Sequence, residues 1–350
     1  MKKSTYESIY STEALSSLED HYGSGSGLYK MWASPHSIIT AILFGWEKSD
    51  HPAQLHHAWD IKKFKSLNEA IKQSVREALK LLELPNNVDN PNILEAGCGI
   101  GGCTTQLAKE NPHITVTGIS LIQKQIEIAN KLKRTRQTNS ARFLVGNYLR
   151  MPIASDTYNG IFAIETFCHI PPHEKPSLFE EMFRVLKPEC KLVIFDGYPI
   201  REPQGSEKIL FEKFKRGWTL PEMITPFTLT TYAQKAGFKV ISVKDITPRV
   251  IDSTPYVYRN ASILRQIIKA IRFLDDRKVK LPYVDNLFKS LGFSTKNAEI
   301  FIEACQAGKP LVESGLGKYY MHVLEKPNPS QRYKNKTYET FYPKLKRIDC

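Results

Sequence analysis

The sequence predicts an α/β fold, a parallel sheet with helices on both faces. Three observations carry this. The 350 residues are 41% hydrophobic, ordinary for a chain that buries a real core. Ile93–Gly102 reads as a strand, a tight glycine turn and a helix start, with Gly97, Gly99 and Gly101 at alternate positions. Around it, β-branched runs alternate with segments of helical period at βα spacing.

Residues 1–66 are irregular and rich in aromatics, Gly, Ser and His, and are expected to fold over the site as a lid. His56 and His57 suggest a metal pair, but adjacent helical residues point apart. Ser66–Leu84 has a helical apolar period and ends at Pro85-Asn86-Asn87. A strand at Asn92–Glu95 enters the glycine turn, and a helix follows from Cys103 to about Lys109. Further strands are expected at Ile114–Ser120, Ala141–Gly146, Asn159–Thr166, Lys191–Gly197 and Lys239–Ile246. Helices are expected at Ile122–Arg134, at Glu174–Leu186, stopped by Lys187-Pro188, and at Thr228–Gly237. The alternation breaks at Pro199–Pro226, which has an amphipathic stretch at Ile209–Phe214. Three more helices (Arg259–Leu274, Tyr283–Leu291 and Thr295–Ala307) form a cover before a last strand, Gly317–Leu324. The domain organisation is thus a lid (1–66), a sheet domain (67–326) with helical insertions around 199–226 and 258–307, and a basic tail (327–350).

The formal charge of +13 admits nucleic acid, an acidic membrane surface, an anionic small substrate or simply a solvated basic surface. No zinc-finger spacing, arginine-rich helix or RNA-binding signature is present, so no nucleic-acid partner is expected. None of the six cysteines forms a Cys-x-x-Cys pair, and two sit in or beside the glycine turn. Free thiols in a reducing compartment are expected. The start lacks an apolar signal core and Ile38–Phe44 is too short to span a bilayer, so a cytoplasmic protein without a membrane span is expected.

A glycine turn feeding a helix accepts a nucleotide-like ligand at the helix N-terminus. Dehydrogenases place an acidic residue after the second strand for the ribose. Here that stretch is Gly118-Ile-Ser-Leu-Ile-Gln-Lys-Gln125. Glu95-Ala-Gly-Cys-Gly-Ile-Gly101 resembles the first motif of the class I S-adenosylmethionine (SAM) methyltransferases. Gly118–Gln125 resembles the Gly-Ile-Thr-Leu-Ser-x-x-Gln pattern of their sterol, tocopherol and cyclopropane-lipid branch. Phe162–His169 is similar to the Ala-Ile-Glu-Ala-Thr-Cys-His stretch of sterol C-24 methyltransferases. Asp245-Ile-Thr-Pro248, Pro255-Tyr256, Arg259 and Ser262 resemble a stretch of geranyl diphosphate C-methyltransferases, as do Phe301-Ile-Glu303 and the Tyr-rich last strand.

The resemblance implies a Rossmann-like class I methyltransferase fold with a seven-stranded, mostly parallel sheet. It implies SAM held by Glu95, Gly97, Gly99, Gly101, Ser120, Gln125 (at the ribose) and Asn147 (near adenine). Most relatives have Asp where Asn147 stands. An Asn amide oxygen still accepts the adenine amino hydrogen, without the charge. The sterol enzymes' N-terminal Tyr-Glu-Tyr-Gly-Trp-Gly is missing, which counts against a sterol.

The resemblance also implies C-methylation of an alkene carbon of a prenyl diphosphate or related terpenoid. Methyl addition there leaves a carbocation, which needs aromatic shielding and then a carboxylate to take a proton. Glu165 is the catalytic candidate, and His169 its proton partner. A Glu that only orients the methionyl group is the plainer alternative. Substrate-pocket candidates are Trp32, Phe167, Tyr198, Trp218, Tyr256 and Arg259. A diphosphate would need cations or Mg²⁺, for which Arg201, Arg249, Arg259 and Arg265 are the candidates. No Asp-rich magnesium motif is present, and the metal is left unknown. An O- or N-methyltransferase of a small natural product, a sterol-like C-methyltransferase and a silent SAM-fold scaffold are the rivals. A homo-oligomer is left open.

Overall fold

The computed structural model describes residues 52–276, 295–328 and 330. Trp32, most of the expected lid, the expected helix Tyr283–Leu291 and most of the basic tail lie outside the described residues. The elements are α1 (Leu67–Leu82), β1 (Asn92–Ala96), α2 (Gly102–Glu110), β2 (Thr115–Ser120), α3 (Gln123–Arg136), β3 (Ala141–Val145) and β4 (Tyr158–Ile164). There follow α4 (Lys175–Val185), β5 (Leu186–Pro199), α5 (Glu207–Gly217), α6 (Pro226–Lys235) and β6 (Lys239–Asp245). The chain continues through α7 (Thr247–Val250), α8 (Thr254–Asp276), α9 (Thr295–Glu313) and β7 (Gly317–Glu325).

The sheet has seven strands in the order β3-β2-β1-β4-β5-β7-β6. β1 to β5 pair in parallel, and β7 runs antiparallel to both β5 and β6. The order reverses between β1 and β4, which opens a crevice beyond the carboxyl ends of those strands, where open α/β sheets bind ligands. One core layer packs Ile161, Ile194 and Leu324 against Phe179 and Met182 of α4. The opposite layer packs Ile93, Phe162 and Val193 against Val75, Ala78 and Leu82 of α1. Both faces of the central strands are buried, which is why β4 is buried along its whole length.

Several boundaries shift from expectation, and two of the shifts have a local cause. Ser66 caps α1 with its hydroxyl on the Glu69 N–H (3.2 Å), so the helix begins one residue later. Lys187-Pro188 does not stop α4 but lies inside β5, which starts at Leu186 and carries a register irregularity opposite Tyr158 and Gly160. The amphipathic stretch at Ile209–Phe214 is the middle of α5. With α8 and α9 it forms the cover over the crevice.

Candidate functional site

A cavity of about 290 Å³ runs from the glycine turn to the cover helices. Its first half is built from turns. Gly97, Gly99 and Gly101 all have positive φ (84°, 50° and 83°). At Gly97 a Cβ would come within 2.0 Å of Thr166 Cγ2, so both the backbone and the space require glycine. Glu95, one residue before the end of β1, is 4% exposed and accepts a hydrogen bond from Thr104 Oγ1 of α2. Burial pushes its carboxyl up to about 7. Ser120 ends β2; its hydroxyl donates to Gln125 Oε1 (2.6 Å) and accepts from the Ile122 N–H (3.2 Å). Asn147 lies in the turn after β3.

The Asn147 amide is oriented opposite to expectation. Its Oδ1 accepts the Leu149 N–H at 2.9 Å, and its buried Nδ2 is left without a partner. The edge available to a ligand is therefore a donor, not the oxygen. A buried polar edge without a partner, facing a cavity rimmed by glycine backbone, fits a purine-bearing group.

A strap of chain, residues 52–57, crosses this half. The Ala53 carbonyl lies where a Cβ on Gly102 would sit, 2.0 Å away, so α2 must begin with glycine for the strap to seat. Gln54 Nε2 donates to Gln106 Oε1 (2.7 Å), and Arg136 donates to the Pro52 carbonyl (3.3 Å). Trp59, fully buried, then anchors the strap on Phe195 (ring centroids 4.5 Å).

The second half centres on Glu165, immediately after β4. It holds a positive φ of 49°, a conformation non-glycine residues rarely adopt. Its N–H donates to the Phe195 carbonyl (2.8 Å). Its Oε1 accepts from the His57 N–H of the strap (2.8 Å) and from the Tyr319 hydroxyl of β7 (2.9 Å). Burial pushes the carboxyl above its usual range, against the opposing pull of His56 and these two donors. His57 Nδ1 meets Ser253 Oγ at 2.6 Å. Ser253 gives its own proton to the Val250 carbonyl (2.7 Å), so His57 donates through Nδ1. Burial pushes His57 down to about 4, so the ring is neutral at pH 7.

The walls of this half are apolar: Phe211 and Phe214 from α5, Trp218 just after it, and Ala304, Gly308 and Leu311 from α9. Trp218 packs edge-on against Phe301 (5.0 Å). Tyr198 and Asp196, both on β5, and His169 also line the cavity. The Tyr198 hydroxyl is buried without a partner.

The crevice thus gathers Glu95, Gly97, Gly99, Ser120, Gln125, Asn147, Glu165, His169, Tyr198 and Trp218. Gly101 stands behind it, as the N-cap of α2. Three pocket candidates are placed elsewhere. Phe167 is fully buried behind the cavity, between Tyr148 and Phe179, because the turn after Glu165 swings it towards α4. Tyr256 is 37% exposed on α8, and Arg259 stacks on it (5.1 Å) outside the cavity. Nor do the other arginines line it. Arg201 pairs with Glu207 (2.7 Å), Arg249 with Asp60 (2.7 Å), and Arg265 donates to Gln306 (2.9 Å). Lys309 and Lys318 do line it, and each pairs with an acid, Glu313 (2.7 Å) and Asp245 (3.7 Å). Among the described residues no group of three His, Cys, Asp or Glu side chains could hold a metal ion.

Sequence reasoning had named Glu165 but not its holders. Tyr319 was visible only as part of a Tyr-rich strand. The antiparallel register that sets it opposite Gly197, beside the end of β4, is a tertiary fact.

A family model described as "Methyltransferase domain" matches residues 93–189, from β1 into β5. The match spans both the glycine turn and Glu165. The sheet order is that of the class I methyltransferase fold. 24-Methylenesterol C-methyltransferase 3 of Arabidopsis thaliana is 31% identical over 158 residues, 44% of this chain and 43% of its own length. Cycloartenol-C-24-methyltransferase 1 of Oryza sativa subsp. japonica is 30% identical over 211 residues, 58% and 57% respectively. The chain spans about half the length of these curated relatives. Two solved structures share the fold. A cyclopropane synthase from Mycobacterium tuberculosis superposes with TM-score 0.66 at 16% identity, over 89% of this chain and 98% of that one. The geranyl diphosphate C-methyltransferase of Streptomyces coelicolor A3(2), in complex with Mg²⁺, geranyl-S-thiolodiphosphate and S-adenosyl-L-homocysteine, gives TM-score 0.56 at 15% identity, over 85% and 96%. Among the described residues no helix is long and apolar enough to cross a membrane.

Proposed function

We propose that the protein is a SAM-dependent C-methyltransferase that acts on an alkene carbon of a terpenoid or sterol-like acceptor. The observation that carries this is Glu165: a carboxylate on the cavity, fixed by two donors, facing an aromatic and aliphatic wall. Bound at the glycine turn, SAM supplies an electrophilic methyl and leaves as a neutral thioether. Gly97 and Gly99 let it approach the backbone, Ser120 and Gln125 face its ribose, and Asn147 Nδ2 offers a donor to adenine. Glu95 lies nearest the strand end, at the methionyl side.

The acceptor's π electrons form the new C–C bond, and the adjacent carbon becomes a cation. Phe211, Phe214 and Trp218 keep water away and lend their ring faces to that charge. Glu165 then accepts a proton from the neighbouring carbon, which restores an alkene. Tyr319 and the His57 N–H hold the carboxylate during this step. An oxygen or nitrogen acceptor would not need such a wall.

The prenyl diphosphate form of this reading has less support, since none of the four candidate arginines lines the cavity. A neutral hydrocarbon-rich acceptor fits the lining best. The test is incubation of the protein with labelled SAM and, separately, a side-chain-unsaturated sterol, a prenyl alcohol and a prenyl diphosphate, each with and without Mg²⁺, followed by mass analysis. A new C–C bond on a neutral alkene is the expected result. Transfer to hydroxyl or amine groups alone would overturn the reading, and transfer to the diphosphate alone would overturn its neutral-acceptor form.

A further inference from the structure

The peptide that joins Phe167 to Cys168 is held at both ends by buried charge. Its carbonyl oxygen accepts a hydrogen bond from Lys175 Nζ, at the first position of α4. Its N–H donates to Asp196 Oδ2 of β5 at 2.8 Å. Lys175 is 3% exposed and Asp196 1% exposed. The other Asp196 oxygen accepts the Gly197 N–H (2.9 Å). Burying an ammonium and a carboxylate is costly unless each is compensated. Here the compensation runs through one peptide dipole, with the cation at its oxygen and the anion at its hydrogen.

We infer that Lys175 and Asp196 are positioning residues that set the aim of the Glu165 carboxylate by locking this peptide. The reasoning is geometric. Glu165 sits at φ 49°, a strained state that persists only where the surroundings over-determine it. Its own N–H is tied to Phe195, on the strand residue just before Asp196. The chain beyond it turns at once through Thr166, whose carbonyl accepts from the Tyr148 hydroxyl (3.4 Å). A flip of the Phe167–Cys168 peptide would point its carbonyl at Asp196 and its N–H at Lys175, and both charges oppose that. With the peptide fixed, the turn cannot rotate, and the Glu165 side chain stays between His57 and Tyr319. Lys175 is outside the cavity lining, so it acts on the reaction through the turn rather than by touching the acceptor.

This inference rests on Glu165 as the proton acceptor, and the experiment separates the two. Lys175→Met and Asp196→Asn are assayed for SAM affinity by calorimetry, for turnover per SAM-binding site on the alkene acceptor, and for Glu165 titration by isotope-edited infrared spectroscopy. Lys175→Met is expected to bind SAM within twofold of wild type and to lose about tenfold or more in kcat, since aim costs rate rather than cofactor binding. Asp196→Asn keeps an oxygen for the Cys168 N–H and is expected to lose less. The double variant is expected to be no worse than Lys175→Met, because both residues act on one peptide.

The groups facing Glu165 are His56, His57, Tyr319, Cys168 and Asp196. A released turn draws the carboxylate away from His57 and Tyr319, whose hydrogen bonds favour its charged form. Its infrared midpoint in Lys175→Met is therefore expected to rise by about one pH unit. Wild-type kcat per site with an unmoved midpoint would overturn the inference. If wild type transfers no methyl to any alkene, the proposed function falls, and the infrared midpoint alone decides the clamp. If Lys175→Met does not fold, the kcat of Asp196→Asn at unchanged SAM affinity decides it, a loss supporting the clamp and wild-type kcat overturning it.

Discussion

The two halves of the cavity are built on different principles. Apart from the strap, the glycine-turn half comes from one continuous stretch, Glu95 to Asn147, and its contacts are mostly backbone edges and small polar side chains. The half around Glu165 draws on residues from His57 to Tyr319, and its surface is made largely of rings and alkyl chains. The first kind of site recognises a ligand by where the main chain can come close. The second recognises by shape and by one carboxylate, so it can vary while the first stays fixed.

This contrast breaks if a change in one half is felt in the other. The largest effect is expected from Glu165→Gln, which keeps the two donors in reach but cannot take a proton. Turnover should fall by about 10³, within the usual range for a lost general base, while SAM affinity measured by calorimetry moves by less than twofold. Near-wild-type turnover would remove Glu165 from the chemistry. Gly97→Ala is the converse. The added methyl meets Thr166 at a backbone φ of 84°, and SAM binding should weaken by about 100-fold, the equivalent of the ~1–3 kcal/mol strain. Unchanged affinity would mean the turn is not the cofactor seat.

Gly308→Leu places a side chain in the apolar wall, where a Cβ already has Phe214 at 3.6 Å. The acceptor KM should rise by about tenfold with SAM affinity unmoved, in line with ~1–3 kcal/mol for overpacking. A loss of SAM binding instead would show that the halves are not separable.

The smallest effect is one of pH on stability. Glu95 holds its proton up to about pH 7 in the folded protein, whereas an unfolded carboxyl releases it near 4.5. Its contribution is therefore full below about pH 4.5 and is lost as pH rises through about 7. In thermal melts, Glu95→Gln should flatten that decline relative to wild type. A decline of equal slope in both proteins would assign it to other groups.

The residues of the glycine-turn half were legible because their signals are local. Alternating glycines, β-branched runs and the Gly118–Gln125 stretch each specify a short piece of backbone, and the sheet followed from them. In the half around Glu165 the sequence points to Glu165, His169, Tyr198 and Trp218, all of which line the cavity, but misplaces other rings. Phe167 was read as a pocket ring from its nearness in sequence, and a single turn sends it into the core. Tyr256 and Arg259 lie on the outer face of α8, which helical period alone does not distinguish from an inner one. His57 and Tyr319 meet Glu165 across more than 100 residues, and Asp196 reaches its turn through the β4–β5 pairing. Lys175, though near in sequence, reaches it only because the chain folds back at the start of α4. For Asn147 the sequence suggests the amide oxygen as the ligand-facing edge, whereas the Leu149 N–H claims that oxygen through a turn geometry that no local pattern encodes.

The strap at residues 52–57 touches both halves within one short run of chain. Its Ala53 carbonyl lies on the start of α2 beside the glycine turn, and its His57 N–H holds the Glu165 carboxylate. Any displacement of the strap is therefore felt at both ends of the cavity at once: it uncovers the start of α2 and takes one of the two donors from Glu165.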